Sequence, residues 1–369
     1  MQVAIAGCGQ LARMLALAGW QMGMRFSFLA DENESDSCVH GLGKVVRRNE
    51  YTQIEDLYFA LGSPQVITVE KEYVDIELLK KLQRHCPVHP EPEIIRICQH
   101  RGREKEFLRS SNIPTAPFEW VRTIGELPGA VERLGFPVII KSCEQGYDGL
   151  NQWRLKDQRA LDEFMQSGTK LPDSVVESFV SFSRELSLLL VRSYTGDITS
   201  YPAIENRHRN GILLTSIAPA GQLTPPLLEQ TAQIIDRIMS DWNYVGVLAI
   251  ECFEAEGEIL VNEMAPRVHN SGHWTQQGAM TSQFENHLRA ITAMLPGRAE
   301  AFGHAAMVNL LGCMPPALLP GGASAHLHLY NKTVRPGRKV GHINLIDKDR
   351  NRLERTMDDV VAKIYGNSI

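Results

Sequence analysis

Four apolar residues near the start, Val3 to Ala6, run into Gly7-Cys8-Gly9-Gln10-Leu11-Ala12, and a helix-patterned stretch follows through Arg13, Leu15, Leu17 and Trp20. This strand–turn–helix narrows the choice of fold more than any other feature of the chain. Glycines at such a turn let backbone approach a ligand, and the helix N-terminus behind them favours an anion. A second strand, Phe26 to Ala30, ends at Asp31, an acid about 20 residues beyond the turn. Further strands at Val45 to Arg48 and Val66 to Val69, then a helix at Ile76 to Arg84, continue the alternation. The pattern predicts a doubly wound α/β domain with a parallel sheet. His89-Pro90-Glu91-Pro92 is a stiff break that ends it, giving a first domain over 1–93. Taken alone, the turn and Asp31 point to a dinucleotide site and an NAD-dependent dehydrogenase. Glu70 and Glu72 follow the strand Val66 to Val69 at the end where open sheets place ligands. They are either solvated strand-end acids or ligand-facing ones.

Several function classes are disfavoured early. A net charge of −5 over 369 residues gives no broad basic field, which argues against nucleic acid as a partner. No apolar run approaches the roughly 20 residues of a membrane span. The N-terminus enters a strand without a charged leader, so no signal peptide is expected. Seven cysteines include no C-x-x-C pair, and Cys8, Cys143 and Cys252 lie in or beside apolar runs. Reduced thiols and a cytoplasmic setting are expected.

The middle of the chain carries more chemistry. A polar helix is expected over Ile94 to Ser110, with Arg101, Arg103 and Lys105, stopped by Ile113-Pro114-Thr115-Ala116-Pro117. The strand Val138 to Lys141 ends on a lysine that can reach solvent or meet phosphate. The loop Ser142 to Trp153 holds too few glycines for a P-loop. Strands follow at Val175 to Glu177 and Glu185 to Val191. Glu205-Asn206-Arg207-His208 reads as a polar segment whose histidine, on pattern alone, is a surface residue. Val247 to Phe253 and Ile259 to Met264 form a hairpin with Glu254 to Gly257 at its turn. Each strand carries one acid, Glu251 and Glu263, with Asn262 beside the second. A carboxylate in so apolar a run is costly unless compensated, and two carboxylates with an amide oxygen suit Mg²⁺. With the register unknown, acids facing solvent are equally open. Beyond it, Ala265 to Trp274 reads as a donor-rich loop. Asn270, Ser271 and Gly272 argue against a helical metal pair of His269 and His273. His326 and His328 alternate with leucines as surface residues of a half-exposed strand. Lys332, Arg335, Arg338 and Lys339 surround the Pro336-Gly337 turn, either as a solvated turn or as a phosphate clamp.

Five blocks occur in order: Gly7-Cys8-Gly9-Gln10-Leu11-Ala12-Arg13-Met14, Ile113 to Pro117, Gly146-Tyr147-Asp148-Gly149, Asn262 to Thr275, and Arg335 to His342. Together they resemble the 5-(carboxyamino)imidazole ribonucleotide synthases, ATP-grasp ligases of purine biosynthesis, over essentially the whole chain. The resemblance implies an ATP-grasp fold: a Rossmann-like parallel-sheet domain over 1–93, an ATP-grasp domain over 94–300 with a lid at about 115–182, and a small C-terminal β-rich domain over 301–369. It implies ATP-dependent carboxylation of 5-aminoimidazole ribonucleotide by bicarbonate through carboxyphosphate, with ADP and phosphate released, in a cytoplasmic homodimer. Glu251 and Glu263 would hold Mg²⁺, which Mn²⁺ can replace, with Asn262 beside them. Arg101, Lys141, Gly146, Tyr147, Asp148, Gly149 and Gln152 would contact ATP, and Glu177, Ser178, Phe179 and Val180 would form the strand that reads adenine. Glu185 would take the ribose hydroxyls, with His208 near the nucleotide. Arg267, His273, Tyr147 and Asp148 would be catalytic. Gly9, Gln10, Leu11, Glu70 or Glu72, Arg267, Asn270, Ser271, Lys332, Arg338 and Lys339 would handle the ribonucleotide and bicarbonate. The lid departs from the family's Gly-Gly-Tyr-Asp-Gly-Arg-Gly-Gln: Gln145, Leu150 and Asn151 replace two glycines and an arginine. That departure leaves a non-catalytic ATP-binding regulator open, and a formate-using ribonucleotide transformylase of the same fold stands as a further reading beside the dehydrogenase.

Overall fold

The computed structural model describes residues 1–144, 151–315 and 324–366. Its first sheet is parallel, with strands in the order Lys44–Arg47, Arg25–Ala30, Gln2–Ala6, Val66–Val69, Val88–His89. That is the strand order of the doubly wound folds. The strands read as near-continuous apolar runs because helices cover both faces. Gln10–Gln21 is the helix after the glycine turn, and its inner face, with Leu11, Met14 and Leu15, is buried.

A second, nine-stranded sheet carries most of the remaining chain. Its order is Glu258–Ala265, Gly246–Ala255, Arg184–Arg192, Ile204–Arg209, Ile212–Ala218, His304–Leu311, Lys339–Asp347, Ser324–Leu329, with Ile198–Ser200 pairing on Arg184–Arg192. The C-terminal strands thus continue this sheet rather than forming one of their own. Helix Arg350–Tyr365 buries Leu353, Met357, Val360 and Val361 against Val308, Leu310, Ile343 and Leu345. A third sheet has four antiparallel strands in the order Phe118–Val121, Ser174–Ser178, Val138–Ser142, Gln152–Leu155. It stands over the hairpin edge of the second. One apolar core runs from Val3 and Ile5 through Trp274 and Phe284 to Met307, so the first domain and the large sheet share it.

Several local expectations change. The polar helix is two helices, Pro92–Cys98 and Arg101–Ser110, because His100 is extended and its ring caps the second. The polar segment around His208 is the strand Ile204–Arg209, with Asn206 and His208 lining a cleft while Arg207 between them is exposed. The strand expected to run to Val180 ends at Ser178. On Ser324–Leu329 the pattern is inverted: Leu327 and Leu329 are 41% and 38% exposed, while His328 stacks on His342 at 4.5 Å. The hairpin is longer than expected, with a two-residue turn at Glu256-Gly257, both with positive φ. Such a turn matches the twist of paired strands.

Candidate active site

The hairpin register settles where its acids lie. Glu251 pairs directly with Glu263 across the strands, with a bulge immediately after Glu251. Cross-strand partners project on one face, and like charges there repel unless something positive joins them. Both acids line a cleft of about 580 Å³. Burial raises the pKa of Glu251, the neighbouring Glu263 raises it further, and His208 opposes both. Two in-register carboxylates in one cleft fit a divalent cation, which would remove that repulsion. Asn262 offers its oxygen elsewhere, accepting from Lys141 Nζ at 3.1 Å.

Lys141 comes from the four-stranded sheet and also meets Glu177 at 2.6 Å. The other oxygen of Glu177 is 3.0 Å from Lys105, which is 2% exposed. Lys105 Nζ donates further to Thr115 Oγ1 at 2.7 Å, and it reaches the Val261 carbonyl of the hairpin. Burial pushes Glu177 up, but the two lysines outweigh it and hold the carboxyl at about 2. This ion cluster ties the small sheet to the acid-bearing hairpin. Lys105 was not singled out from the sequence as a site residue. The available signal is that Arg101–Ser110 has only Phe107 and Leu108 as large apolar residues, so its buried face must be polar. Glu104 on the same helix is buried too and accepts the Met264 N–H at 2.5 Å.

Arg101 approaches Glu263 at 3.5 Å and donates to the Ser142 carbonyl at 3.0 Å. On the floor, Glu185 pairs with His208 Nδ1. Burial lowers the His208 pKa, but Glu185, Glu251 and Glu263 raise it more, so the net shift is upward. Gln152 and Lys339 also line the cleft. Phe179 lies beyond the end of its strand, with Arg154 over its ring at 4.0 Å. Gly146, Tyr147, Asp148 and Gly149 lie outside the described residues.

At the glycine turn the structure overturns the dinucleotide reading. Glu70 Oε1 accepts the Gly9 N–H at 2.8 Å and Oε2 the Ala12 N–H at 3.4 Å. The chain's own carboxylate therefore occupies the anion position at the helix N-terminus. A Cβ on Gly9 would lie 2.6 Å from Glu70 Oε1, so the glycines make room for that carboxylate. Asp31, the expected ribose acid, is bonded to Lys71 at 2.6 Å. Leu11 packs its side chain into the core and offers a ligand only backbone. Gln10 accepts from Lys332, bringing the C-terminal cationic turn onto the first domain. Arg338 donates to the Thr333 carbonyl at 3.3 Å within that turn. Of the two strand-end acids, Glu72 lines the cleft and pairs with Arg267 at 2.5 Å.

The two histidines after the hairpin exchange places. His273, expected to be catalytic, is 1% exposed, absent from the cleft wall and packed against His342 at 4.8 Å. His269 lines the cleft instead, its Nε2 3.3 Å from Glu251 Oε1. A 3₁₀ turn at Asn270–Gly272 makes the exchange. Asn270 stays in the wall, whereas buried Ser271 turns inward, its N–H and hydroxyl both on His269 Nδ1. Because Nδ1 accepts the Ser271 N–H, the ring proton is assigned to Nε2, facing Glu251.

Known proteins match this chain along its whole length. Residues 1–99 match the ribonucleotide synthetase preATP-grasp domain, 106–284 the ATP-grasp domain, and 305–356 the phosphoribosylaminoimidazole carboxylase C-terminal domain. The N5-carboxyaminoimidazole ribonucleotide synthase of Pseudomonas aeruginosa is 39% identical over 365 residues, covering 99% of each chain. That of Bacillus subtilis is 36% identical, over 93% of this chain and 91% of its own. Among solved structures, the Thermus thermophilus synthetase superposes with a TM-score of 0.88 at 39% identity, covering 98% of both chains. The Aspergillus clavatus synthase in complex with ADP and 5-aminoimidazole ribonucleotide gives 0.84 at 28% identity, over 98% of this chain and 99% of its own.

Proposed function

This chain belongs to the N5-carboxyaminoimidazole ribonucleotide synthase family of ATP-grasp ligases, and from that premise we propose how its cleft performs the reaction. The enzyme carboxylates 5-aminoimidazole ribonucleotide at the expense of ATP, in purine biosynthesis. We take bicarbonate as the one-carbon donor. Its oxygen attacks the γ-phosphorus and ADP departs, leaving carboxyphosphate. The exocyclic amine of the ribonucleotide then adds to the carboxyl carbon, phosphate leaves, and the amine loses a proton.

One observation carries the assignment of roles. The in-register pair Glu251 and Glu263 shares one cleft with the cations Arg101, Lys141 and Arg267 and with Glu72. Glu251 and Glu263 would hold Mg²⁺ or Mn²⁺, which neutralises charge on the ATP phosphates. Lys141, set by Glu177 and Asn262, and Arg101 face the same phosphates. Glu185 takes the ribose hydroxyls, with His208 at its carboxylate. Arg267 presents a planar fork to bicarbonate and carboxyphosphate, held in direction by Glu72. His269 donates to Glu251 and orients that carboxylate, which moves the histidine role from His273 to its neighbour four residues earlier. Gln10, Lys332 and Lys339 take the ribonucleotide. Enclosure matters because carboxyphosphate is lost in water. The lid at about 115–182, the homodimer and the cytoplasmic setting are carried by the family resemblance. All seven cysteines are unpaired, in keeping with a reducing compartment.

The test is phosphate release from Mg-ATP, with and without the ribonucleotide, in bicarbonate-supplied and bicarbonate-depleted buffer. Release that needs the ribonucleotide, with bicarbonate-dependent consumption of it, is expected. Glu263→Gln should lose most of that turnover while staying folded. ATP binding without release would favour the regulator, and release driven by formate the transformylase.

A further inference from the structure

His100, Cys143 and Asp173 bring their ligand-type atoms within 4.8 Å of one another beside the cleft. The grouping has the composition of a metal site, but its atoms are already engaged. His100 Nδ1 accepts the Arg103 N–H at 3.3 Å, so its ring proton is assigned to Nε2, which lies 3.2 Å from Asp173 Oδ2. Asp173 Oδ1 accepts the Trp120 indole N–H at 2.5 Å. Cys143 is buried, and its main-chain N–H donates to the Asp173 carbonyl at 2.8 Å. A metal would require both the imidazole nitrogen and the thiol to give up their protons.

What these atoms do together is cap a helix. The first N–H groups of any α-helix lack partners inside it. In Arg101–Ser110, the Arg101 N–H goes to the Cys143 carbonyl at 3.0 Å and the Arg103 N–H to His100 Nδ1 at 3.3 Å. Both end on residues that Asp173 holds, Cys143 through its main chain and His100 through its ring. Trp120 closes the group from the small sheet: a Cβ on Gly102 would lie 2.5 Å from its indole Cε2. The residue that opens this helix is Arg101, whose guanidinium spans the Ser142 carbonyl and Glu263.

We infer that Asp173 is a positioning residue for the carboxylation reaction: its carboxylate, through His100 and Trp120, fixes the helix start that aims Arg101 at Glu263 and the nucleotide phosphates. The inference rests on reading Arg101 as a phosphate contact. Asp173→Asn in the full-length enzyme tests it, because the amide has one acceptor oxygen for two donors, so either the His100 ring or the Trp120 indole loses its partner and the helix start is loosened. The KM for ATP should rise about fivefold or more, while kcat and the KM for the ribonucleotide stay within about twofold. In an Arg101→Ala background the same substitution should change the ATP KM by less than about twofold, since both act through one contact. Lower thermal stability with an unchanged ATP KM would overturn the inference, and so would full additivity with Arg101→Ala. An Arg101→Ala variant with a normal ATP KM would remove the phosphate reading itself, and the inference with it. Zn²⁺ retained stoichiometrically on dialysis by the wild type and lost in Asp173→Asn would replace the cap with a metal site.

Discussion

Glu177 is a carboxylate whose surroundings can be read as a stability term. Its ordinary pKa near 4.5 falls to about 2 because Lys105 and Lys141 more than offset burial. A depressed carboxyl stabilises the fold fully above the unfolded value and loses that contribution as pH falls through the folded one. The loss here lies between about 4.5 and 2, and the shift corresponds to about 3 kcal/mol. Glu177→Gln should be less stable at neutral pH by about 3 kcal/mol or more, since it strands two buried ammonium groups. Its urea-unfolding free energy should then fall less steeply than the wild type's between pH 4.5 and 2. Parallel slopes would show that the two lysines do not set this carboxyl. None of this was legible in the sequence. Lys105 and Glu177 are 72 positions apart, and a lysine on a polar helix looks solvated until the sheet it packs under is known.

At the scale of elements, the hairpin and the glycine turn were found for sound local reasons and then given meaning by distant partners. Apolar alternation located both strands of the hairpin, but only pairing could show whether its acids meet. A one-residue slip would have sent them to opposite faces. The glycine turn was correctly placed between strand and helix, yet its ligand is Glu70, 61 residues on from Gly9. Substitution there should follow backbone conformation. Gly9 has φ −84°, so Gly9→Ala has only to displace the Glu70 carboxylate, for about 1–3 kcal/mol by thermal or urea unfolding. Gly7 has φ +116° and meets the same side chain, so Gly7→Ala should be more destabilising by at least about 1 kcal/mol. NAD should leave the melting temperature of the wild type unchanged. A shift would mean that Glu70 yields its place to a pyrophosphate.

The whole molecule is organised so that the N- and C-terminal segments meet at the glycine turn. Asn331 donates to the Ser37 carbonyl at 2.8 Å and Lys332 to Gln10, joining residues about three hundred positions apart. Burial lowers the Lys332 pKa, and a cation held on the glycine turn is well placed for a phosphate or hydroxyl of the ribonucleotide. Lys332→Ala should raise the Michaelis constant for the ribonucleotide by about tenfold, with kcat and the ATP constant little changed, because such a contact serves ground and transition states alike. Steady-state kinetics with each substrate varied in turn would decide it. An effect confined to ATP would move the cationic turn to the nucleotide.

What the sequence determined by itself is what neighbours in the chain dictate. Strand and helix periods, the glycine turn, the Pro-rich breaks and the Asn262 to Thr275 block follow from side chains within a few residues of one another, and with the family resemblance they sufficed for fold and reaction. Tertiary structure alone decided that Glu251 faces Glu263, that Glu70 fills the glycine turn, that Lys105 shares Glu177 with Lys141, and that His269 rather than His273 faces the cleft. The first depends on the register of a hairpin, and the next two on pairings between distant segments. The last depends on a 3₁₀ turn whose inward side is set by the core that buries His273 beside His342. Periodicity in a chain carries the direction of a side chain relative to its own element. It does not carry what stands opposite.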